Sequence, residues 1–461
     1  MKITVLNGSP KGATSVTMQY VHYIQKKFPQ HELRIFNISQ RIKKIEKDVQ
    51  AFQEILESIR SSDGILWASP VYSYLVPANY KRFIELISEK GVEDVFQNKH
   101  TAFLTTSIHF FDHTAHNYMH AVCDDLDMRY VGSFSAEFDD LLKAEERERL
   151  RLFAANFFDE IGNNTLPPKS YMPVTWRDFD YAPGDVENKI DVGNKKVLIL
   201  TDSQDHQTNL VRMIETFRAS FSSEIEVINL WDIDIKGACL GCIQCGYDNK
   251  CVYEGKDDYI DFHNTKVKPA DILVWAGTIK DRYLSSRWKV FFDRGFFKGH
   301  APSLIGKQIG FIISGPLSQV SNLRQILEAL VEVKHGNPVD FVTDEYGDST
   351  KIDNSLQYLA RRLVQFAHNN YIKSSTFLGV GGTKIFRDAV WGRLRRSFRA
   401  DHVAYRKLGI YDFPQKEYKT RIRNAIFLLL LKSQAFRGEF NKRMKKESIK
   451  PLQKVLENPE N

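Results

Sequence analysis

The sequence predicts an α/β protein with two doubly wound parallel sheets and a basic helical extension. Short apolar runs alternate with helical patterns along the chain, which is typical of parallel βαβ units. These runs are apolar throughout, as expected for strands that helices cover on both faces. The same order of elements occurs twice, and 461 residues exceed what one hydrophobic core accommodates. We therefore expect two similar domains and an appendage.

Each half opens with a buried strand, continues into a helical pattern and returns to two further strands. The predicted strands are residues 2–7, 63–68 and 101–106 in the first half and 196–201, 271–276 and 308–314 in the second. We predict a first domain over residues 1–162, a linker over 163–194, a second domain over 195–372 and a basic helical extension over 373–461. Proline and glycine favour the linker, and its aromatic residues predict that it packs on a domain surface.

The positive charge is concentrated in the extension. Residues 384–461 hold 20 Lys and Arg against 8 Asp and Glu, so the body of the protein is slightly acidic although the whole chain carries +7. This distribution argues against a nucleic-acid-binding core. Three interpretations remain for the extension: a solvated helix face, a docking surface for an acidic electron carrier such as ferredoxin, and a membrane-surface helix within residues 421–440.

The start of the chain and its hydropathy predict a cytoplasmic protein. The first residues enter a strand directly, without the pattern of a signal peptide. The longest apolar run, residues 425–431, is far shorter than the roughly 20 residues that span a bilayer. A reducing compartment also suits free thiolates.

Four of the five cysteines lie within thirteen residues, in the pattern C-x2-C-x2-C-x5-C. Such a group of thiolates suits a soft metal centre. Structural zinc usually takes two well-separated C-x2-C pairs, whereas a compact run with a nearby fourth cysteine suits a [4Fe–4S] cluster. We predict a [4Fe–4S] cluster, with zinc as the alternative, on Cys239, Cys242, Cys245 and Cys251. The isolated Cys123 is expected to be a buried apolar residue.

A polar loop joins the first strand of each half to the following helix. Backbone N–H groups and hydroxyls at a helix N-terminus form an anion site, so either loop can hold a phosphate. Neither loop has the glycine pattern of a Rossmann site or a P-loop. A simple helix-capping turn is the alternative interpretation. The candidate residues are Ser9, Lys11, Thr14 and Ser15 in the first half and Ser203, Gln207, Thr208 and Asn209 in the second.

Two further loops of the first half are candidate site elements. Pro70, Val71, Tyr72 and Ser73 follow the second strand, where ligands of open α/β sheets bind, and Tyr72 and Tyr74 are candidates to cover a planar ring. The third strand precedes a segment, residues 108–120, whose histidines share one face of a predicted helix. They can form a polar face, deliver protons or hold a metal ion. The histidines are His109, His113, His116 and His120, of which His109 and His113 are the catalytic candidates.

These motifs resemble a known superfamily. The sequences N-G-S-P-K-G, S-P-V-Y and K-R-F in the first half resemble the flavodoxin-like NAD(P)H-dependent FMN reductases. In the second half, T-x-S-x3-Q-T-N, the cysteine motif and S-S-R-W-K-V-F-F-D-R resemble iron–sulfur flavoproteins of the same superfamily. The resemblance covers roughly residues 1–145 and 195–320.

The resemblance implies flavodoxin-like domains with FMN at the carboxyl ends of the strands. In the first half, Ser9, Thr14 and Ser15 would hold the phosphate and residues 70–73 the ring; in the second half, Ser203, Thr208 and Asn209 would hold another phosphate. It also implies a nicotinamide co-substrate and a cluster near the flavin of an adjacent subunit, hence a homodimer, for which the tandem halves offer an internal pair as the alternative. Each half departs from the pattern: residues 38–61 are predicted helical where the first half would carry the cysteines, and residues 277–281 replace S-P-V-Y in the second.

The function predicted from these features is flavin-dependent electron transfer. FMN would take a hydride from NAD(P)H, or single electrons from a carrier, and would exchange electrons with the cluster. One alternative is an NAD(P)H:quinone or FMN reductase with structural zinc. The other is a non-enzymatic flavodoxin-like scaffold with a zinc knuckle.

Overall fold

The computed structural model describes residues 1–186, 188–412 and 417–457. The first half contains β1 (Lys2–Asn7), α1 (Val16–Lys27), β2 (Glu32–Asn37), α2 (Ile38–Lys47), α3 (Val49–Ser61), β3 (Gly64–Pro70), α4 (Ala78–Glu89), β4 (His100–Thr106), α5 (Asp112–Asp125), β5 (Arg129–Ala136) and α6 (Ala144–Gly162). The second half contains β6 (Val197–Thr201), α7 (Asn209–Ala219), β7 (Glu226–Asn229), α8 (Tyr259–Phe262), β8 (Ile272–Thr278), α9 (Ser286–Arg294), β9 (Gln308–Ser314), α10 (Ser321–Glu332), β10 (Asn337–Thr343) and α11 (Ser349–Asn369).

The strands form two separate five-stranded parallel sheets. Their orders are β2-β1-β3-β4-β5 and β10-β9-β8-β6-β7, the same order written from opposite edges. In each sheet the chain leaves the first strand to one side and then turns back to the other, which places a topological switch point beside β1 and β6. The predicted fold class is confirmed, including the helices over residues 38–61.

Local sequence signals explain where the central helices begin. The side chains of Ser15, Asp48, Thr208 and Ser285 accept backbone N–H groups in the first turns of α1, α3, α7 and α9. Such caps satisfy donors that a helix leaves unpaired, each typically for about 1 kcal/mol. The strands between these helices are buried on both faces, as their continuous apolar sequences predict.

The linker packs on both halves: the backbone N–H groups of Ser170 and Tyr171 donate to Asp124 of α5 over 2.9 and 2.8 Å, and the later part of the linker packs on the second half. Tyr181 is buried, and its hydroxyl donates to Asp353 and, over 3.0 Å, to Thr216. Its backbone N–H donates to the Asn209 side chain over 2.9 Å.

The two halves meet along α4 and α9 in an internal pseudo-two-fold pairing. Lys81 and Lys289 occupy the fourth position of these helices, and Glu85 and Asp293 occupy the eighth. Each acid accepts the first backbone N–H of the opposite helix: Glu85 from Ser286 over 2.6 Å and Asp293 from Ala78 over 2.9 Å. The halves therefore bind each other as two subunits of a symmetric dimer would.

Buried ion pairs complete this interface. Lys81 lies 3.0 Å from both Glu85 and Asp281, and Lys289 pairs with Asp293. Both lysine side chains are fully buried, so these carboxylates carry the electrostatic compensation that burial requires. Burial favours the neutral amine, but the two carboxylates nevertheless raise the pKa of Lys81.

The C-terminal part of the chain forms further helices. They are α12 (Phe377–Trp391), α13 (Arg399–Lys407), α14 (Tyr418–Leu430) and α15 (Gln434–Glu457). Residues 1–401 and 402–461 form separate compact units. Among the helices that the structure describes, none combines the length and apolar character needed to cross a bilayer.

Candidate functional site

The first polar loop forms a tight cradle at the N-terminus of α1. Ser9 is buried, its N–H donates to the Asn7 side chain over 2.9 Å, and its hydroxyl accepts the Lys11 N–H. Gly12 adopts a left-handed φ of 59°, which turns the chain toward the helix. Thr14 is exposed on the rim. Hydroxyls, helix N-terminal amides and Lys11 thus gather at one edge of the sheet, a donor set that fits a phosphate.

The loop after β3 contains a strained hairpin. Tyr72 and Leu75 exchange backbone hydrogen bonds of 2.8 and 3.0 Å, and the two residues between them, Ser73 and Tyr74, have φ of 42° and 67°. Consecutive left-handed residues in such turns are usually Asn or Gly, so a Ser–Tyr pair stores strain of about 1–3 kcal/mol per residue. Strain of this kind concentrates at ligand-binding sites.

The two tyrosines of this hairpin have different environments. Tyr74 is buried against Phe110 and Phe111, with ring centroids 5.4 and 4.7 Å away, so the prediction that it covers a ligand ring is wrong. Tyr72 is only partly buried, and its carbonyl accepts the Nζ of Lys289 over 2.8 Å. A buried lysine of the second half therefore fixes the flavin-loop candidate of the first.

His109 precedes the helix on which the sequence placed it. Residues 109 and 111 both have φ of 58°, and α5 begins only at Asp112. The reason is local: the Ser107 hydroxyl accepts the His109 N–H and holds it in a turn. The half-exposed ring contacts Asp112 Oδ2 over 3.1 Å through its Nδ1. Burial works in the opposite direction, but hydrogen bonds from Ser135 and His109 lower the pKa of Asp112.

The other histidines lie on α5, and two of them pack against the sheet. His116 contacts Thr105 through Nε2 over 2.7 Å and Ser133 through Nδ1 over 3.1 Å. His120 stacks on Tyr130, with ring centroids 4.0 Å apart. Burial lowers the pKa of both histidines. These contacts tie the two rings to β4 and β5, which leaves His109 and His113 as the candidates for proton delivery.

The equivalent polar loop of the second half is acidic and satisfies its own donors. Asp202 follows the first strand where Gly8 stands in the first half, and its buried carboxylate accepts from Ser285. Burial raises the pKa of Asp202 to about 6. The Asp205 carboxylate accepts the Gln207 N–H over 2.9 Å, a donor that a phosphate would otherwise use.

The remaining candidates of this loop take part in hydrogen bonds within the protein. Ser203 donates to the Asp205 carbonyl over 3.0 Å, and Thr208 caps α7. Asn209 donates to Phe179 of the linker and to Asp344, over 2.7 and 3.1 Å. Ser15 caps α1 in the same way, so capping does not by itself distinguish the two loops, and a phosphate site in the second loop stays a prediction.

The cysteine motif lies in a long loop between β7 and α8. Cys239, Cys242, Cys245 and Cys251 are free thiols, and Cys245 is buried. Burial raises the pKa of Cys239 to about 12 and that of Cys245 to about 11, so a metal centre would have to displace their protons. Within the described part of the chain, no group of three or more His, Cys, Asp or Glu side chains is arranged to hold a metal ion. The cluster ligands therefore stay a prediction.

Arg294 of α9 holds both ends of this loop. Asp257 forms a buried ion pair with Arg294 at 2.7 Å and so fixes the end of the loop to α9. Arg294 also donates to the Gly237 carbonyl over 2.9 Å. Cys123, as predicted, is fully buried in the core of the first half.

The cysteine loop reaches across to the polar loops of the first half. At Gly241, with φ of 62°, a Cβ would lie 1.8 Å from the Tyr72 hydroxyl and 3.3 Å from Cε of Lys11. The Lys43 ammonium of α2 also donates to the Lys236 carbonyl over 2.5 Å. The cysteine loop of one half therefore lies in contact with the flavin-loop candidates of the other.

This contact makes a substitution at Gly241 informative. Gly241→Ala is expected to separate the cysteine loop from Tyr72, because the new methyl group cannot share space with the hydroxyl. Gly255→Ala is the matched control: its φ is 71°, but its Cβ would meet no atom within 4 Å. Both variants carry left-handed strain of about 1 kcal/mol, so a greater loss of thermal stability in Gly241→Ala measures the contact. Equal losses in the two variants would contradict it.

One comparison with known protein families matches the N-terminal part of the chain. Residues 1–139 match the family of NADPH-dependent FMN reductases. The predicted resemblance to a flavodoxin-like NAD(P)H-dependent flavin oxidoreductase is thus confirmed for the first domain. No curated protein matches the chain.

Several solved structures are similar to parts of the chain. The NAD(P)H:acceptor oxidoreductase FerB from Paracoccus denitrificans has 16% identity, covering 35% of this chain and 98% of that one, with a TM-score of 0.29. RosB with a bound riboflavin phosphate intermediate has 14% identity, 42% and 87% coverage and a TM-score of 0.33. General stress protein 14 from Treponema denticola in complex with FMN has 9% identity, 36% and 99% coverage and a TM-score of 0.26.

Proposed function

Because residues 1–139 match the NADPH-dependent FMN reductase family, we propose that the protein is a flavin-dependent oxidoreductase that exchanges electrons between FMN in its first domain and a [4Fe–4S] cluster in its second. The proposal is carried by the contact of the cysteine loop with Tyr72 and Lys11. The arrangement brings the two candidate redox sites together within one chain.

FMN, when bound, supplies reversible one- and two-electron chemistry. The loop of Ser9, Thr14 and Ser15 would bind its phosphate, and Lys11 would balance part of the charge. Residues 70–73 would hold the ring, and the hydrogen bond from Lys289 to the Tyr72 carbonyl would hold this loop in place. The cluster ligands would be Cys239, Cys242, Cys245 and Cys251, whose free thiols fit the donor set of an iron–sulfur centre.

His109 is proposed to carry protons at this edge of the sheet. Its ring is half exposed, so water reaches it, and Asp112 orients it through Nδ1. A carboxylate that holds one ring nitrogen leaves the imidazole poised to take or give a proton at the other. His113 follows Asp112 directly in the chain, and its backbone N–H donates to Asp112 Oδ1 over 2.9 Å.

The co-substrate would be NADH or NADPH, in a reducing compartment such as the cytoplasm. An acidic carrier such as ferredoxin remains the alternative donor or acceptor. The internal pairing of α4 and α9 supplies within one chain the contact that a homodimer would otherwise provide.

The proposal is tested by cofactor analysis of the full chain purified without oxygen. We expect the protein to contain FMN and also iron and inorganic sulfide, with as much sulfide as iron. Its visible absorbance should be bleached by dithionite. Cys242→Ser should abolish the iron and sulfide, and because Cys242 is exposed the variant should fold. Cys123→Ala, in the core of the first half, should retain both.

Two outcomes would contradict the proposal. Stoichiometric zinc without sulfide would favour a reductase with a structural metal site. A colourless protein that binds no FMN would favour the scaffold. Anaerobic addition of NADPH to the yellow or brown protein then tests the nicotinamide step, since flavin absorbance should fall.

A further inference from the structure

The second compact unit, residues 402–461, exposes an apolar helix face that the redox site does not explain. On α14, Tyr418, Ile422, Ile426 and Leu429 share one side at helical spacing. Each of the four is between 56% and 63% exposed. Isolated exposed apolar residues are common, but four along one face form a contiguous patch.

The opposite side of α14 is already occupied. Phe427 points the other way around the helix and packs on α15, with ring centroids 5.5 Å from Phe436 and 5.1 Å from Phe440. α15 thus supports the helix from behind. The exposed face is therefore turned away from the contact that holds α14 in place.

Cations border this face on both sides. Around the helix, Arg421 lies on one flank of the apolar residues, and Lys419 and Arg423 lie on the other. Residues 418–438 contain five Lys and Arg and no Asp or Glu. Long basic side chains beside an apolar stripe can keep their charged ends in water while the stripe itself is buried in an apolar environment.

We propose that α14 binds the surface of an anionic membrane, lying in the plane of the headgroups. Aliphatic and tyrosine side chains would enter the acyl boundary, and the flanking cations would contact anionic headgroups. The helix has 13 residues. At about 1.5 Å per residue it is far shorter than a bilayer core of about 30 Å, so it would lie along the surface.

An acidic protein is the competing occupant, and the composition of the face favours lipid. A soluble acidic partner would satisfy the cations, but it would not need four aliphatic or aromatic side chains between them. A lipid surface offers both negative charge and an apolar interior at the depth of one helix. A reductase held at a membrane surface would also meet lipid-soluble acceptors there.

Vesicle flotation with the full chain tests the proposal. We expect binding to vesicles of phosphatidylcholine mixed with phosphatidylglycerol, weak binding to phosphatidylcholine alone, and release as salt is raised. Ile422→Ser with Leu429→Ser should weaken binding at least about tenfold, through the lost apolar burial. Arg421→Gln with Arg423→Gln should weaken it by about fivefold for each cation, and only on anionic vesicles.

The matched control replaces exposed leucines elsewhere. Leu142→Ser with Leu152→Ser, on the first domain, removes two exposed apolar side chains of comparable combined exposure and should leave binding unchanged. Circular dichroism confirms that each variant folds. Failure to bind mixed vesicles, or equal binding by the Ile422 and Leu429 variant, would overturn the proposal. So would binding to soluble polyglutamate that matches vesicle binding in strength, or a dimer that this variant dissociates.

Discussion

Replacing Asp293 with Ala is expected to destabilise the protein by about 3–5 kcal/mol. The substitution leaves the fully buried Lys289 without its carboxylate and the first N–H of α4 without its acceptor. Burial lowers the pKa of Lys289, and Asp293 opposes that effect, so the variant must bury either an unpaired charge or a neutralised amine. Urea unfolding followed by circular dichroism measures the loss.

Two controls separate the buried pair from charge removal in general. Glu328→Ala breaks an ion pair with Arg324 that is 32–51% exposed, and it should cost less than about 1 kcal/mol. Replacing Lys289 with Met and Asp293 with Leu together should cost less than Asp293→Ala alone, because no buried charge is left unpaired. A loss below about 1 kcal/mol for Asp293→Ala would show that the halves do not depend on this interface.

Introducing a carboxylate at the first polar loop is expected to weaken FMN binding strongly. Thr14 lies on the exposed rim of the loop, directly before the residue that caps α1. Thr14→Asp should therefore leave the fold intact and repel the phosphate. Two like charges about 4 Å apart near a protein surface repel by about 4 kcal/mol, so affinity should fall by at least about a hundredfold. Fluorescence titration of the apoprotein with FMN measures the change.

The second half provides the matched control. Gln207 occupies the same position before the cap of α7, and its N–H is already bonded to Asp205. If the first domain holds the only flavin, Gln207→Asp will bind one FMN as tightly as the original chain. A Gln207→Asp variant that loses half of the bound FMN would show that a second flavin binds in the second half. A Thr14→Asp variant that keeps its FMN would show that the phosphate does not bind at the first loop.

The strands and both polar loops could be predicted because their signals are local. Residues 2–7 and 308–314 are predicted and observed over the same ranges, since a continuous apolar run between turn residues identifies a buried parallel strand. The helices over 38–61 follow from amphipathic spacing in the same way. The prediction that His109 lies on the helix was wrong, because residue spacing alone does not reveal a left-handed residue such as Phe111.

The interface between the halves could not be predicted from the sequence. Lys81 and Asp281 are separated by 200 residues and read as ordinary surface charges, and nothing local shows that the lysine is buried. A signal was nevertheless present: a Lys with an acid four positions later recurs in α4 and α9, at the same distance from the preceding strand. An internal repeat that preserves a charged pair at equivalent positions of two helices indicates a shared contact.

Joining two such halves in one polypeptide removes a constraint that identical subunits obey. In a homodimer every substitution appears twice, so a loop cannot become acidic on one side and remain a phosphate cradle on the other. Here Asp202 follows the first strand of one sheet where Gly8 follows that of the other, and the cysteine motif occurs in one half only. In a fused chain, each half can therefore acquire its own substitutions while the α4–α9 pairing between the halves is retained.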